Sequence, residues 1–585
     1  MKSPIFGHSG PKAVALLLSS VALLGISVGA QADTIPAASP PQVPVTHVSS
    51  ALADDLIGSL STMKTVYRTE YAPADWKKAY AGYDLDVEFG KAVAAVSANP
   101  SLNLTQAHEI LKNFIYAMKD YHTSISFVST EAASLPLLIK GTDTRFFIVY
   151  IDRSKLTETA FPFHVGDEVV TFGGQATADA VASVQAETPA NVPSTDKSIA
   201  ELALTSRRGT KGLKIPHGPI TLGIQAAGAS TVQDIQLIWD YSPETIFPRG
   251  DLARGQPKDL RGSSRPNLFA HRMDVQIDAP VASPYGLGSR KTFTPDLGTK
   301  IWQSADTDEF YAYIYKNADN KLIGYLRLPS YVPSEFGKAI ADFAKTIALF
   351  ESTTDSMIID QVNNPGGSVL YLYTLASMLT TQPLQTPLHR MAINQADVAA
   401  AQAEIARLAA VRTDEDAQRL IATTDTDGYP VSYEFAKFRL NYSAFIVSEW
   451  NAGRKLTHPY WIDGVEHINS ADTHYSKPIV VLINALDFSG GDFFPTILQD
   501  NHRVTVFGSR TSGAGGYVND ITVPNNLGIN TFRCTESIAE RVDLSPIENL
   551  GVTPDVAYSM TAHDFQNNYA DYVKAVQSAV SAVTH

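Results

Sequence analysis

Four buried-strand candidates in the C-terminal half, KLIGYLRL, SMIID, PIVVLIN and RVTVFG, constrain this chain more than any other feature. From Ile479 to Ile483 the apolar residues are consecutive, and an unbroken hydrophobic run is the pattern of a strand buried on both faces. Helical stretches lie between them, so residues 301–585 are predicted to form an α/β core around a largely parallel sheet. Single cores stop growing near ~250–300 residues, which makes two or three packed units the expectation for 585 residues. The overall class is α/β (α+β), with no tandem repeat at any solenoid period.

Residues 33–139 read as a helical N-terminal region after a Pro- and Ala-rich lead. In TQAHEILKNFIYAMKD the positions Ile110, Leu111, Phe114, Ile115 and Met118 share one helical stripe. The helix is expected to run to Asp120, which leaves His122 at a turn before the β-like run SISFV. Residues 140–243 alternate in the β manner (RFFIVYI, DEVVTF, PITLGI, DIQLIW). Within them VGDEVVTFGGQATADAVASV resembles the segment of PDZ modules that precedes a helix, and such modules bind peptide by strand addition at a sheet edge. Residues 244–300 are rich in Pro, Gly, Arg and Ser, lose hydrophobic periodicity, and read as a linker or insert.

The first 32 residues contain Lys2 and Lys12, the apolar stretch AVALLLSSVALLGISVGA and the small-residue site Ala30-Gln31-Ala32. These are the three parts of a secretory signal peptide, so export with cleavage after Ala32 is expected, to the periplasm or beyond the cell. Nothing later reaches the ~18 uninterrupted apolar residues of a membrane span. A net charge of −14 repels nucleic acid and anionic membrane, and neither is expected as a partner. Cys534 is the only cysteine, so no intrachain disulfide can form and stability must come from packing. It lies in the polar run TFRCTES without a neighbouring histidine, which argues against a catalytic thiol.

The strongest chemical signal is PIVVLINALDFSGGDFFPTILQD. An apolar strand, Ile479 to Ile483, leads through a short turn to Ser489-Gly490-Gly491-Asp492 and then a helix. Ser489 therefore sits where orphan helix N–H groups favour a developing negative charge, as an acyl-transfer nucleophile requires. Its neighbourhood is not the G-x-S-x-G elbow, because Asp487 stands at the first glycine position. An ordinary N-cap serine would look the same. The run SMIIDQVNNPGGSVLYLYTLASML repeats the form, with Gly366 and Gly367 before a helix, where backbone amides can approach a ligand without an intervening Cβ. A third glycine loop, GSRTSGAGGYV, follows Gly508.

In this order the DYH turn, the IIDQVNNPGG turn, the LINALDFSGGDFFP turn, the RTSGAGG loop and the IENLGVTPD segment resemble the tail-specific (C-terminal-processing) and tricorn-type serine peptidase superfamily. The likeness extends from about residue 60 to the C-terminus, is densest over 355–390 and 476–556, and weakens across 240–300. It implies a serine endopeptidase with Ser489 as nucleophile, His122 as general base and Glu548 as the acid that orients the imidazole. It also implies an oxyanion hole from the amides of Gly366, Gly367 and Gly490, protein or peptide substrates, no cofactor or metal, and a homodimer. A serine hydroxyl needs a neighbouring base held in one tautomer, which these three residue types supply. Many members instead use a lysine in a T-x-G-K-G loop. Here the loop reads Thr511-Ser512-Gly513-Ala514-Gly515, and Ala514 cannot carry a proton, so a histidine base is the better assignment.

Other chemistries fit less well. Ser61-Thr62-Met63-Lys64 matches S-x-x-K, but the K-T-G triplet of penicillin-binding enzymes occurs nowhere. His108-Glu109 opens like a zinc motif, yet Lys112 stands where its second histidine belongs. The alternative from another class is a catalytically silent peptide- or ligand-binding protein on the same fold.

Overall fold

The structure, a computed structural model, describes residues 51–245, 273–274 and 284–584. The expected signal peptide 1–32, the lead that follows it, and residues 246–272 and 275–283 of the expected insert lie outside the described residues.

Among the described residues the α/β core is built on a seven-stranded sheet. Its order is Lys300–Gln303, Ala312–Lys316, Leu322–Arg327, Ser356–Asp360, Ile479–Ile483, Thr505–Gly508, Val556–Ala557. The first three strands pair antiparallel, and every pairing from Leu322–Arg327 onward is parallel. The unbroken apolar runs follow from two buried faces. Met357, Ile359, Ile479, Val481 and Ile483 enter a core covered by helices Phe336–Thr353, Val369–Ser377 and Gly490–Asp500. Ile358, Val480 and Leu482 enter a second core under helix Ala570–Val583. Successive side chains of a strand point to opposite faces, so both sets must be apolar.

The N-terminal region forms helices Ala51–Glu70, Ala74–Ala81, Leu85–Ser97 and Leu104–Tyr116. Leu111, Phe114, Ile115 and Met118 are buried in one core with Phe532 and Cys534 of strand Ile529–Thr535, and Ile110 packs at its margin. That strand pairs antiparallel with Ser124–Phe127, which carries the N-terminal helices to the C-terminal core. The last helix stops at Tyr116 rather than Asp120. Lys119 has φ 51° and its carbonyl accepts from Lys77 Nζ (2.7 Å) and Asn549 Nδ2 (3.0 Å), a direction helix continuation would not allow.

The β-rich unit is a sheet of Leu137–Gly141, Phe146–Ile151, Glu168–Phe172, Pro219–Gln225 and Gln233–Ile238, with Gln175–Ala176 attached to its middle strand. Helices Thr177–Gln185 and Pro193–Thr205 close its core. The second helix also reaches the α/β core: Thr195 Oγ1 donates to Ala485 O (2.8 Å), and Ile199 and Leu202 pack with Leu486 and Phe488. No described helix is long and apolar enough to cross a membrane.

Candidate active site

Ser489 begins helix Gly490–Asp500 with φ 57° and ψ −111°, a backbone conformation an L-residue adopts only under tertiary constraint. The constraint is visible. Asp492, one turn on, is fully buried, and its carboxylate accepts the N–H groups of Ser489 (2.8 Å), Gly513 (2.9 Å) and Ala514 (3.0 Å) and the hydroxyls of Thr511 and Ser512. One side chain thus pins the RTSGAGG loop to the serine turn. Burial pushes this carboxyl up to about 6, against the pull of those donors. An N-cap serine uses its hydroxyl on the helix's own amides, but Ser489 Oγ has no hydrogen-bond partner. The turn therefore resembles the strained strand-to-helix elbow in backbone form, although its sequence is not G-x-S-x-G.

The two glycine turns touch. A Cβ on Gly490 would lie 3.1 Å from Gly366 Cα and 3.2 Å from Gly367 N, and one on Gly491 would lie 2.8 Å from Asn364 O. Any other residue would push the turns apart. Asp487 fixes their register, its carboxylate accepting from Asn364 N (3.0 Å) and Asn484 N (2.9 Å), while Phe488 N donates to Asn364 O (2.8 Å). The Gly366 N–H is engaged by Asn364 Oδ1 at 2.9 Å, so among the three predicted amides those of Gly367 and Gly490 remain the better placed to meet a ligand. Gly366–Gly367 also pairs antiparallel with Met273–Asp274, so this turn accepts extended chain at its edge.

His122 follows the turn that ends the N-terminal helices. Its backbone N–H donates to Asp120 Oδ1 (2.8 Å), and Asp120 Oδ2 accepts from the hydroxyls of Tyr71 (3.0 Å) and Thr535 (2.9 Å). The next-door Tyr121 ring meets the Phe488 ring edge-on at 5.6 Å, which brings the histidine loop against the serine turn. The imidazole is fully buried and neither ring nitrogen has a partner. Burial holds it well below the usual histidine range, so the ring is neutral and able to accept a proton.

The reactive atoms of Asp120, His122 and Glu548 lie within 4.8 Å of one another. Glu548 is itself buried, with Oε1 bonded to Lys77 Nζ and Oε2 accepting from Gly515 N (2.9 Å). Burial first, then Asp120, push its carboxyl up to about 8, against the pull of Lys77 and the Gly515 N–H. The structure thus brings together the loops of Ser489, His122 and Glu548, without a direct hydrogen bond among the three side chains. Asp120, Lys77, Asp487 and Asp492 were not read as site residues from the sequence. Asp120 and Asp492 stand two and three positions from predicted ones, which was the available signal; Lys77 has none.

Ser61 and His108, the other motif residues, are occupied elsewhere. Ser61 is exposed and donates to Ile57 O (2.8 Å), and His108 is stacked on Phe127 with Nε2 at 2.6 Å from Leu527 O.

A serine turn over a parallel sheet, flanked by a β-rich peptide-binding type of module, defines a class, and comparison with known proteins agrees. The model of peptidase family S41 matches residues 322–558, and that of the PDZ domain matches residues 131–246. An uncharacterized protein of Chlamydia muridarum is 34% identical over 579 residues, covering 92% of this chain and 94% of that protein. The chain belongs to peptidase family S41 and is a serine-type peptidase. Within the family it is similar to CPAF, the chlamydial protease-like activity factor. The crystal structure of mature CPAF matches with TM-score 0.80 and 32% identity, over 92% of this chain and 98% of that one. CPAF complexed with lactacystin matches with the same score and identity.

Proposed function

We propose that this chain is an exported endopeptidase that cleaves proteins through an acyl-enzyme on Ser489, with His122 as general base and Glu548 orienting the imidazole. The observation that carries the reading is the strained Ser489 turn, whose unbonded hydroxyl stands in a loop cluster with an unpartnered, neutral imidazole. His122 takes the hydroxyl proton as Ser489 Oγ attacks the carbonyl carbon, and returns it to the leaving amine. The Gly367 and Gly490 amides meet the oxyanion, and the Gly366 turn holds them in place. The edge at Gly366–Gly367 suits an extended substrate backbone. Ala514, buried beside Tyr121 and Phe488, supports a histidine rather than a lysine mechanism. Export rests on the first 32 residues, and a homodimer on the resemblance alone.

The test is cleavage of casein together with fluorophosphonate and lactacystin labelling of the purified chain. Label should attach at Ser489 and vanish in a folded Ser489→Ala variant. Undiminished labelling in that variant would assign the nucleophile elsewhere.

A further inference from the structure

Lys77 lies on the short helix Ala74–Ala81 with its side chain fully buried. An ammonium leaves water only where every donor finds an acceptor. Three do here: Glu548 Oε1, Asn549 Oδ1 (2.9 Å) and Lys119 O (2.7 Å). The first two belong to the turn that carries Glu548. The third belongs to the loop that carries His122, three residues further on. Asn549 completes the clasp, its Nδ2 donating to the same Lys119 O (3.0 Å).

We propose that Lys77 is a positioning residue of the peptidase site, whose ammonium bonds the Glu548 carboxyl and locks the Glu548 turn to the His122 loop. The proposal rests on the Ser489-His122-Glu548 reading above. The groups around the carboxylate define what the ammonium does. Burial first, then Asp120, favour the protonated acid; Lys77 and the Gly515 N–H oppose them without offsetting them. Tyr71 faces it as a neutral phenol, and His122 faces it as a neutral ring. Arg533 also faces His122, but is bonded to Asp520 through Nε and Nη2. Without Lys77 the upward push on Glu548 has no cationic counterpart, so the carboxylate form retreats to still higher pH and less of it is present to stabilise the imidazolium formed during catalysis. Lys77 also disfavours a charged His122 ring, so its loss raises both groups. Both effects move the acid limb of the pH–rate profile upward.

The experiment measures kcat and KM against pH for the wild type, Lys77→Met and Lys77→Arg, each with Glu548 intact and with Glu548→Gln. Lys77→Met is expected to lower kcat at neutral pH about tenfold or more with KM nearly unchanged, and to move the acid limb up by about one pH unit or more. Lys77→Arg, which keeps the cation, should return the limb toward its wild-type position. In the Glu548→Gln background only the bonds of Lys77 to Asn549 and Lys119 and its effect on His122 are lost, so Lys77→Met should cost at least about threefold less than with Glu548 intact. A purely structural lysine would cost the same factor in both backgrounds and leave the limb in place, and either result overturns the proposal. If Lys77→Met alone does not fold, the double variant leaves no unpaired buried charge, and its comparison with Glu548→Gln still decides. A folded His122→Ala variant with full activity would instead remove the underlying triad. Loss of activity in His122→Ala beside a wild-type profile in Lys77→Met would remove only the role of Lys77.

Discussion

At the scale of single residues, the site depends on buried polar groups whose protonation is set by what surrounds them. Replacing His122 by Ala should reduce kcat/KM by about three to six powers of ten, as when a triad loses its base. Under the proposed triad Glu548→Gln should cost less, because the base would remain while its orientation weakened. The sign of the pH dependence follows from two opposite shifts. Burial lowers His122, so the neutral, active ring persists into acid; burial raises Glu548, so the charged acid is the form lost first as pH falls. The acid limb of kcat/KM should therefore lie above the ordinary carboxylate range and report the coupled set, and Glu548→Gln should flatten it. A limb unchanged in Glu548→Gln would assign the titration to another group. Asp492 admits an equally direct test. In Asp492→Asn one carboxylate oxygen becomes a donor facing the N–H groups it formerly accepted, each orphaned amide costing ~1–3 kcal/mol. A loss of about 2–4 kcal/mol in denaturant unfolding, together with at least a tenfold fall in activity, is expected. Retention of both would show that the serine turn holds itself.

At the scale of elements, helix Pro193–Thr205 connects the PDZ module to the serine and histidine loops. Beyond its contacts to Ala485, Leu486 and Phe488, its Asp196 accepts from the Tyr121 hydroxyl, which also receives the N–H of Val192 (2.9 Å). Tyr121→Phe leaves Asp196 and the Val192 N–H each short of a partner. It should destabilise the chain by about 1–3 kcal/mol and lower kcat more than KM, since His122 is the next residue. Wild-type kcat in this variant would mean that the helix does not set the histidine loop. The same element shows what could be read in advance. Strands Ile479–Ile483 and Ser356–Asp360 and the glycine turns after them were legible, because burial on two faces and close backbone approach leave local marks in composition. The histidine loop was legible only in part: the stripe from Ile110 to Met118 gave the helix, but its end at Tyr116 depends on Lys77 and Asn549, 39 and 433 residues away. Lys77 itself reads as a surface lysine on a short polar helix. Its burial is a property of the assembled loops, which no local pattern records.

At the scale of the whole molecule, a chain of 585 residues with one cysteine must hold together without any internal disulfide. The structure places Cys534 at full burial in the N-terminal core, among Leu111, Phe114 and Phe532, and burial raises its thiol well above the usual range. Thiolate attack and intermolecular bridging both need exposure and ionisation, and the folded state denies both. An oxidising compartment therefore gains no hold on this protein while it is folded. The midpoint of thermal unfolding should be the same with and without dithiothreitol. A disulfide-exchange reagent such as dithionitrobenzoate should react with no thiol in the native protein and with one thiol after denaturation. Reaction at full rate in the native state would show that the core formed by the N-terminal helices and strand Ile529–Thr535 opens readily. That opening would also release the Ser124–Phe127 pairing next to His122, so activity and thiol exposure would then be lost and gained together on heating.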